Sequence, residues 1–197
     1  WVILSQQAIA YQYSDHRDSA TARDLLGNTT GNLTIDGYGA YNCLSEKDAK
    51  RERSACWGHA RRKLLEAIPE GMKEHENREV VAMIANLYQI ESEADARGIL
   101  GTREHLELRQ SKSQRIVKAI WKWVDARVGK CSPASKMSKA LTYATKQRPR
   151  LERFLYDPKI GLDKIDASYC TSYAVSNRAR RTGSDAMGVE SGLFHGG

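Results

Sequence analysis

Apolar and polar residues alternate along this chain at two different periods. At the start, Trp1-Val2-Ile3-Leu4 is a short apolar run, and Ala8 to Tyr13 alternates through Ile9, Tyr11 and Tyr13. With Ser5-Gln6-Gln7 between them, the two read as a buried strand, a turn and an antiparallel partner. Ser14 to Ser19 is polar, and Ser19 or Thr21 is placed to cap a short helix through Leu26, which Gly27 ends. The period of two returns in Asn32 to Asp36, where Leu33 and Ile35 alternate with Thr34 and Asp36, predicting a strand with one buried face. Gly37 breaks that strand, and a short helical segment is expected from Gly39.

Downstream the period changes. Leu44 to Arg53 is densely charged and reads as a solvated loop, with a short further strand over Ser54–Trp57. From Gly58 to Ile68 the spacing predicts a helix with Ala60, Leu64 and Ile68 on one face and His59, Arg62, Lys63 and Glu66 on a polar one. Pro69 and Gly71 interrupt it. Two long stripes follow, Val80-Met83-Ile84-Leu87-Tyr88 and Ile116-Val117-Ile120-Trp121-Val124, predicting an antiparallel helical pair. The polar connection Arg103–Ser113 also reads as helical. Trp121 and Trp123 fall on different faces, so one at most fits the seam of that pair. Ser132-Pro133 or Ser135 starts another helix through Met137, Ala140, Leu141 and Ala144, and Pro149 fits the first turn of a separate segment through Leu155.

Composition narrows the class. The chain has 197 residues, enough for one domain with a real core, and 41% hydrophobic content is ordinary for a globular protein. No apolar run approaches the roughly 18 residues of a membrane span. The net charge of +7 favours a polyanionic partner. Arg62 and Lys63 lie on the polar face of the predicted helix after Cys56, and Lys136, Lys139, Lys146, Arg148, Arg150 and Arg153 form a second basic stretch. Both are candidates for phosphate contact, against the plainer reading of a solvated face. Four cysteines, Cys43, Cys56, Cys131 and Cys170, show no CxxC spacing, which fits a reduced cytosolic compartment rather than a zinc knuckle. Cys56 and His59 have ligand-like spacing, but no second pair completes a site. Trp1 stands inside an apolar stretch with no secretory signal before it, so the expectation is a fragment.

Asp36 is the residue with the most chemistry attached. A carboxylate at the end of a strand, followed by glycine, is a common place for a catalytic or metal-binding acid in α/β enzymes. Asp-Gly is equally a turn signal.

Asp36-Gly37-Tyr38 with Tyr41, followed by Cys56-Trp57, His59 and Arg61-Arg62, resembles the insertion-sequence 66 family of bacterial transposases. Lys139-Ala-Leu-Thr-Tyr143, Leu151-Glu-Arg-Phe-Leu155 and Gly161-Leu162-Asp163 resemble it too. The resemblance implies an α/β fold, a ribonuclease-H-like mixed sheet with a large helical insertion. It divides the chain into a partial catalytic core over 1–68, a helical insertion over 69–130, and C-terminal helices with the divergent end of the core over 131–197. It implies DNA as partner, at transposon ends and target, with His59, Arg61, Arg62 and Lys63 as DNA-binding residues. It further implies an Asp/Asp/Glu site holding Mg2+ or Mn2+ for strand cleavage and joining, in which Asp36 is the second aspartate, both catalytic and metal-binding. A bacterial cytoplasmic, nucleoid-associated location and a homo-oligomer in the intact family member follow from the same source. The first aspartate of that set would lie upstream of Trp1, and Ser168 stands where the glutamate belongs. The expectation is therefore a transposase fragment that is inactive alone. Its alternatives are a non-catalytic DNA-binding remnant and a helical interaction module.

Overall fold

The structure is a computed structural model that describes residues 1–4, 9–44, 51–72, 74–163 and 173–176. The fold is mixed α/β and mostly helical. Strands β1 (Val2–Leu4), β2 (Ile9–Tyr11), β3 (Gly31–Ile35), β4 (Arg51–Ala55) and β5 (Tyr173–Ser176) form a sheet in the order β2-β1-β5-β3-β4. β1 is antiparallel to both its neighbours, whereas β5, β3 and β4 run parallel. An antiparallel hairpin, which the alternating segments at the start of the chain predicted, thus flanks a parallel run. The turn expected at Ser5–Gln7, the solvated character of Ser45–Lys50, and Ser168 all lie outside the described residues.

β3 is buried at Leu33, Thr34 and Ile35, so both its faces are covered, the habit of a parallel strand. Leu33 and Ile35 meet helix α1 (Ser19–Leu26) through Ala22 and Leu26, and the same cluster takes in Ala40, Tyr41 and Leu44. On the opposite pleat Thr34 lies in register with Ser54, and their hydroxyls hydrogen-bond at 2.8 Å. A second, larger core joins Ala55 to α2 (Trp57–Glu66), α3 (Asn77–Ala96), α5 (Gln114–Asp125) and α6 (Lys136–Leu151). The helical stripes of α3 and α5 pack together there, as their spacing predicted.

Several local expectations are corrected. Asp18, not Ser19 or Thr21, caps α1, accepting the Thr21 N–H at 2.9 Å. β2 is edge-on to solvent, with Ile9, Tyr11 and Tyr13 all exposed, and β1 is only half-buried over Trp1–Ile3. The charged run does not stay in solvent at its end, because β4 begins at Arg51 and buries both Arg51 and Arg53. Each guanidinium meets backbone carbonyls: Arg51 those of Gly27 and Thr29, Arg53 that of Tyr41 at 2.8 Å. Those bonds are what make burial of the cations tolerable. Pro149 lies inside α6 rather than opening a new segment. Lacking an N–H, it forgoes the bond to the carbonyl four residues before it, a cost that falls in the last turn of α6. Both tryptophans of α5 are buried: Trp121 packs on Trp57 at 5.8 Å between ring centres, and Trp123 lies beneath the Arg127 guanidinium at 4.0 Å.

Between α4 (Arg103–Leu108) and α5 the helix widens into a π turn over Arg109–Ser113. Arg109 is fully buried there and makes a forked ion pair with Glu91 at 2.9 and 2.6 Å. Its remaining donor reaches the carbonyls of Phe154 and Asp157. The π turn thereby ties the helical block to the segment that leads into Asp163.

Candidate active site

Asp36 follows directly on β3, which lies between β5 and β4 in the sheet. Its Oδ1 accepts the Tyr38 N–H at 3.1 Å, so the turn that Asp-Gly signals is also made. Its side chain is 11% exposed, enough to reach the surface without standing free of it. Gly37 has φ 76°, and a Cβ there would stand 2.9 Å from both the Gln147 amide nitrogen and the Tyr143 ring. Glycine is therefore required twice, by its backbone and by the approach of α6. Tyr143 secures that approach by donating its hydroxyl to the Asp36 carbonyl at 3.0 Å.

Helix α2 brings the second motif to the same place. Its N-terminus is held from far along the chain: the Trp57 N–H donates to the Leu162 carbonyl at 2.9 Å, and the Gly58 N–H to Asp163 Oδ1 at 2.8 Å. The indole of Trp57, buried, donates to the Leu151 carbonyl at 2.8 Å. Cys56 donates its thiol to the same Asp163 oxygen at 2.8 Å, and His59 Nδ1 lies 3.1 Å from that sulfur. The other ring nitrogen, Nε2, faces Asp36 Oδ2 at 3.9 Å. Asp36, His59, Cys56 and Asp163 thus form one continuous row.

Among the other residues singled out by sequence, Arg61 is half-buried, Arg62 is exposed and pairs with Glu66 at 3.7 Å, and Lys63 lies 5.1 Å from the centre of the Tyr143 ring. Lys63 also shares a shallow surface recess with Lys136 and Lys139 of α6, so the two basic stretches adjoin at this point. Arg148 and Arg153 turn away into pairs with Asp125, Glu152 and Glu52. Burial holds the phenols of Tyr41, Tyr88 and Tyr143 well above their ordinary range, with the charge of Asp36 adding at Tyr41 and that of Asp163 at Tyr88. These phenols therefore stay neutral around the site, and that of Tyr143 donates to the Asp36 carbonyl.

The donor set does not by itself make a metal centre. Among the described residues no group of three or more His, Cys, Asp or Glu side chains is arranged to hold an ion. Asp36 offers one hard oxygen ligand, and Mg2+ or Mn2+ needs several. Sequence reasoning named Asp36, His59 and Asp163 but missed their connection through Cys56 and the anchoring by Tyr143. The signal for Asp163 was the Leu-Asp pair after Gly161. Nothing in local spacing links it to Cys56.

The class these observations define is a mixed α/β protein with an acidic residue at the end of a sheet strand and a basic helix docked beside it. The chain belongs to the IS66 family of transposases, whose description, "Transposase IS66 family", matches residues 1–164. It is 32% identical over 165 residues to "Uncharacterized protein y4qI" of Sinorhizobium fredii, covering 81% of this chain and 30% of that protein. It is 29% identical over 173 residues to "Uncharacterized protein y4jD" of the same organism, covering 83% of this chain and 32% of the relative. The chain thus spans about a third of the length of these curated relatives. No solved structure matches it. No helix among the described residues is long and apolar enough to cross a membrane.

Proposed function

We propose that this chain is part of the DNA-processing region of a transposase that cleaves and joins strands at element ends by metal-dependent phosphoryl transfer. In this reading the sheet is ribonuclease-H-like, an idea supported by its antiparallel hairpin beside three parallel strands. Asp36 is one carboxylate of the catalytic set, and Arg61, Arg62 and Lys63 with His59 position the DNA. The observation that carries the reading is the meeting of the two family motifs, which sets His59 of α2 3.9 Å from Asp36 at the end of β3. The divalent ion would be Mg2+ or Mn2+, completed by acids other than those described, and the chain by itself does not cleave.

Two measurements test this. Duplex binding should fall steeply with salt, because the cations displace condensed counterions, and the log–log slope should lose about 0.9 per phosphate contact removed. Replacing Arg61, Arg62 and Lys63 together by alanine should flatten it accordingly. Equal binding at low and high salt would refute the DNA assignment. In a strand-cleavage assay with the element's ends and Mg2+ or Mn2+, this chain should be silent. Cleavage that vanishes in Asp36→Ala would overturn the claim that the catalytic set is incomplete here.

A second reading, DNA binding without catalysis, is favoured by the lack, among the described residues, of a group of three or more acids, histidines or cysteines arranged to hold a metal ion. It is distinguished by supplying the longer relative's remaining segments: cleavage restored in that background, and lost in Asp36→Ala, excludes it.

A further inference from the structure

We propose that Asp163 and Cys56 are positioning residues that aim the His59 ring at Asp36. Cys56 has a single S–H, and it is directed at Asp163 Oδ1, 2.8 Å away. Sulfur must therefore meet His59 with a lone pair, so the hydrogen on the 3.1 Å contact belongs to Nδ1. A histidine whose Nδ1–H is engaged has its ring plane fixed and its other nitrogen aimed outward, the device by which outer partners orient histidines at metal and catalytic sites. Here the outward nitrogen faces Asp36 Oδ2 at 3.9 Å. The orientation does not depend on the charge of the ring, since Nδ1 keeps its hydrogen in the neutral form and in the cation alike.

Asp163 is itself well held. Its Oδ1 accepts the Gly58 N–H at 2.8 Å as well as the thiol, and the preceding carbonyl, Leu162, accepts the Trp57 N–H. It thus serves α2 as an N-terminal cap supplied from a distant segment, while Cys56 at the cap position makes no side-chain bond to the helix backbone. Glycine at 58 permits this, because a Cβ there would stand 2.5 Å from Asp163 Oδ1. The significance for catalysis rests on the reading of Asp36 given above. The ring geometry can be tested without it.

The test is nitrogen-15 NMR of the His59 ring in the whole chain, without metal or DNA, assigned by the resonance lost in His59→Asn. The expected result is a slowly exchanging Nδ1–H in the unaltered chain and in the conservative variants Cys56→Ser and Asp163→Asn, which keep a donor and an acceptor. In Cys56→Ala and Asp163→Ala that exchange should quicken by at least an order of magnitude. Cys56→Ala removes only a small buried group, so it carries the test if Asp163→Ala does not fold. A ring proton equally protected in Cys56→Ala would overturn the proposal, as would an Nδ1 without hydrogen in the unaltered chain. Loss of protection in Asp163→Asn together with Asp163→Ala would refute the role of Asp163 as an acceptor. None of these results depends on cleavage or DNA affinity, so the proposal and the transposase reading fail separately.

Discussion

Replacing Arg109 by methionine should be the most damaging single change in the helical block. The guanidinium is fully buried, and Glu91 opposite it is 8% exposed. Methionine fills much the same volume but removes the forked ion pair and the donor to the Phe154 and Asp157 carbonyls. Breaking a buried pair from one side costs about 3–5 kcal/mol, because the partner charge is left uncompensated. Two carbonyls that lose a donor add to this, about 1–3 kcal/mol each where water cannot reach them. Protonation of the stranded Glu91 and its contact with His105 at 3.3 Å return part of the loss. A net loss of about 4–6 kcal/mol is expected, a large share of the ~5–15 kcal/mol that holds a domain of ordinary stability. Urea denaturation followed by far-UV circular dichroism measures it. With a slope of ~2 kcal/mol per molar, the midpoint should fall by about 2–3 M. The double variant Glu91→Gln/Arg109→Met should lose less than the two single changes combined, by roughly 1–3 kcal/mol. A loss below about 1 kcal/mol in Arg109→Met, or strict additivity in the double variant, would refute the ion pair as the element that ties this block together.

The same pair makes a prediction about acid. Burial opposes ionisation of Glu91, but His105 and Arg109 outweigh it and hold its folded-state pKa below the usual 4.5. Its contribution is therefore fully present above about 4.5 and lost as pH falls through the lower folded value. Stability measured from pH 6 downward should decline more steeply in the unaltered chain than in Glu91→Gln, and parallel profiles would count against it. Gly58→Ala should cost about 1–3 kcal/mol, since the new methyl displaces the Asp163 carboxylate that caps α2; a thermal midpoint equal to that of the unaltered chain would show that the cap is not tight. Pro149→Ala should stabilise the chain by up to about 3 kcal/mol, because alanine restores an N–H and relieves the ring's crowding late in α6. A lower denaturation midpoint would mean that Pro149 is needed for the turn into Arg153–Leu155.

Much of this fold was legible because it is periodic. The alternation ending at Asp36 placed β3, although Thr34 is buried as well and both faces of the strand are covered where one was expected, and the stripes from Val80 and Ile116 placed α3 and α5, since each helix buries one face. The misread positions share a different cause. Arg51 and Arg53 look like solvent residues, and in isolation they would be; they are buried because the carbonyls of Gly27, Thr29 and Tyr41 lie where their guanidinium groups end. Pro149 reads as a helix start, but the packing of α6 against α2 carries the helix past it. Tertiary contact overrode local preference in both cases.

The candidate site divides along the same line. Its two ends were visible as motifs, Asp36-Gly37-Tyr38 and Cys56-Trp57-Gly58-His59, because each is short and chemically distinctive. What makes them one site is contributed by residues about a hundred positions away: Tyr143 holding the backbone of Asp36, and Asp163 holding Cys56 and Gly58. No periodicity encodes such pairs, for they depend on where α6 and the segment after it return. Their placement depends in turn on Arg109, whose π turn fixes the Phe154 and Asp157 carbonyls just ahead of Asp163. The helical block, which reads in sequence as an insertion with no chemistry of its own, therefore bears on the site through the buried Arg109 as well as through Tyr88, whose phenol feels the Asp163 charge. If that is correct, Arg109→Met should quicken exchange of the His59 Nδ1–H under conditions where the chain is still folded, although the two residues belong to different helices.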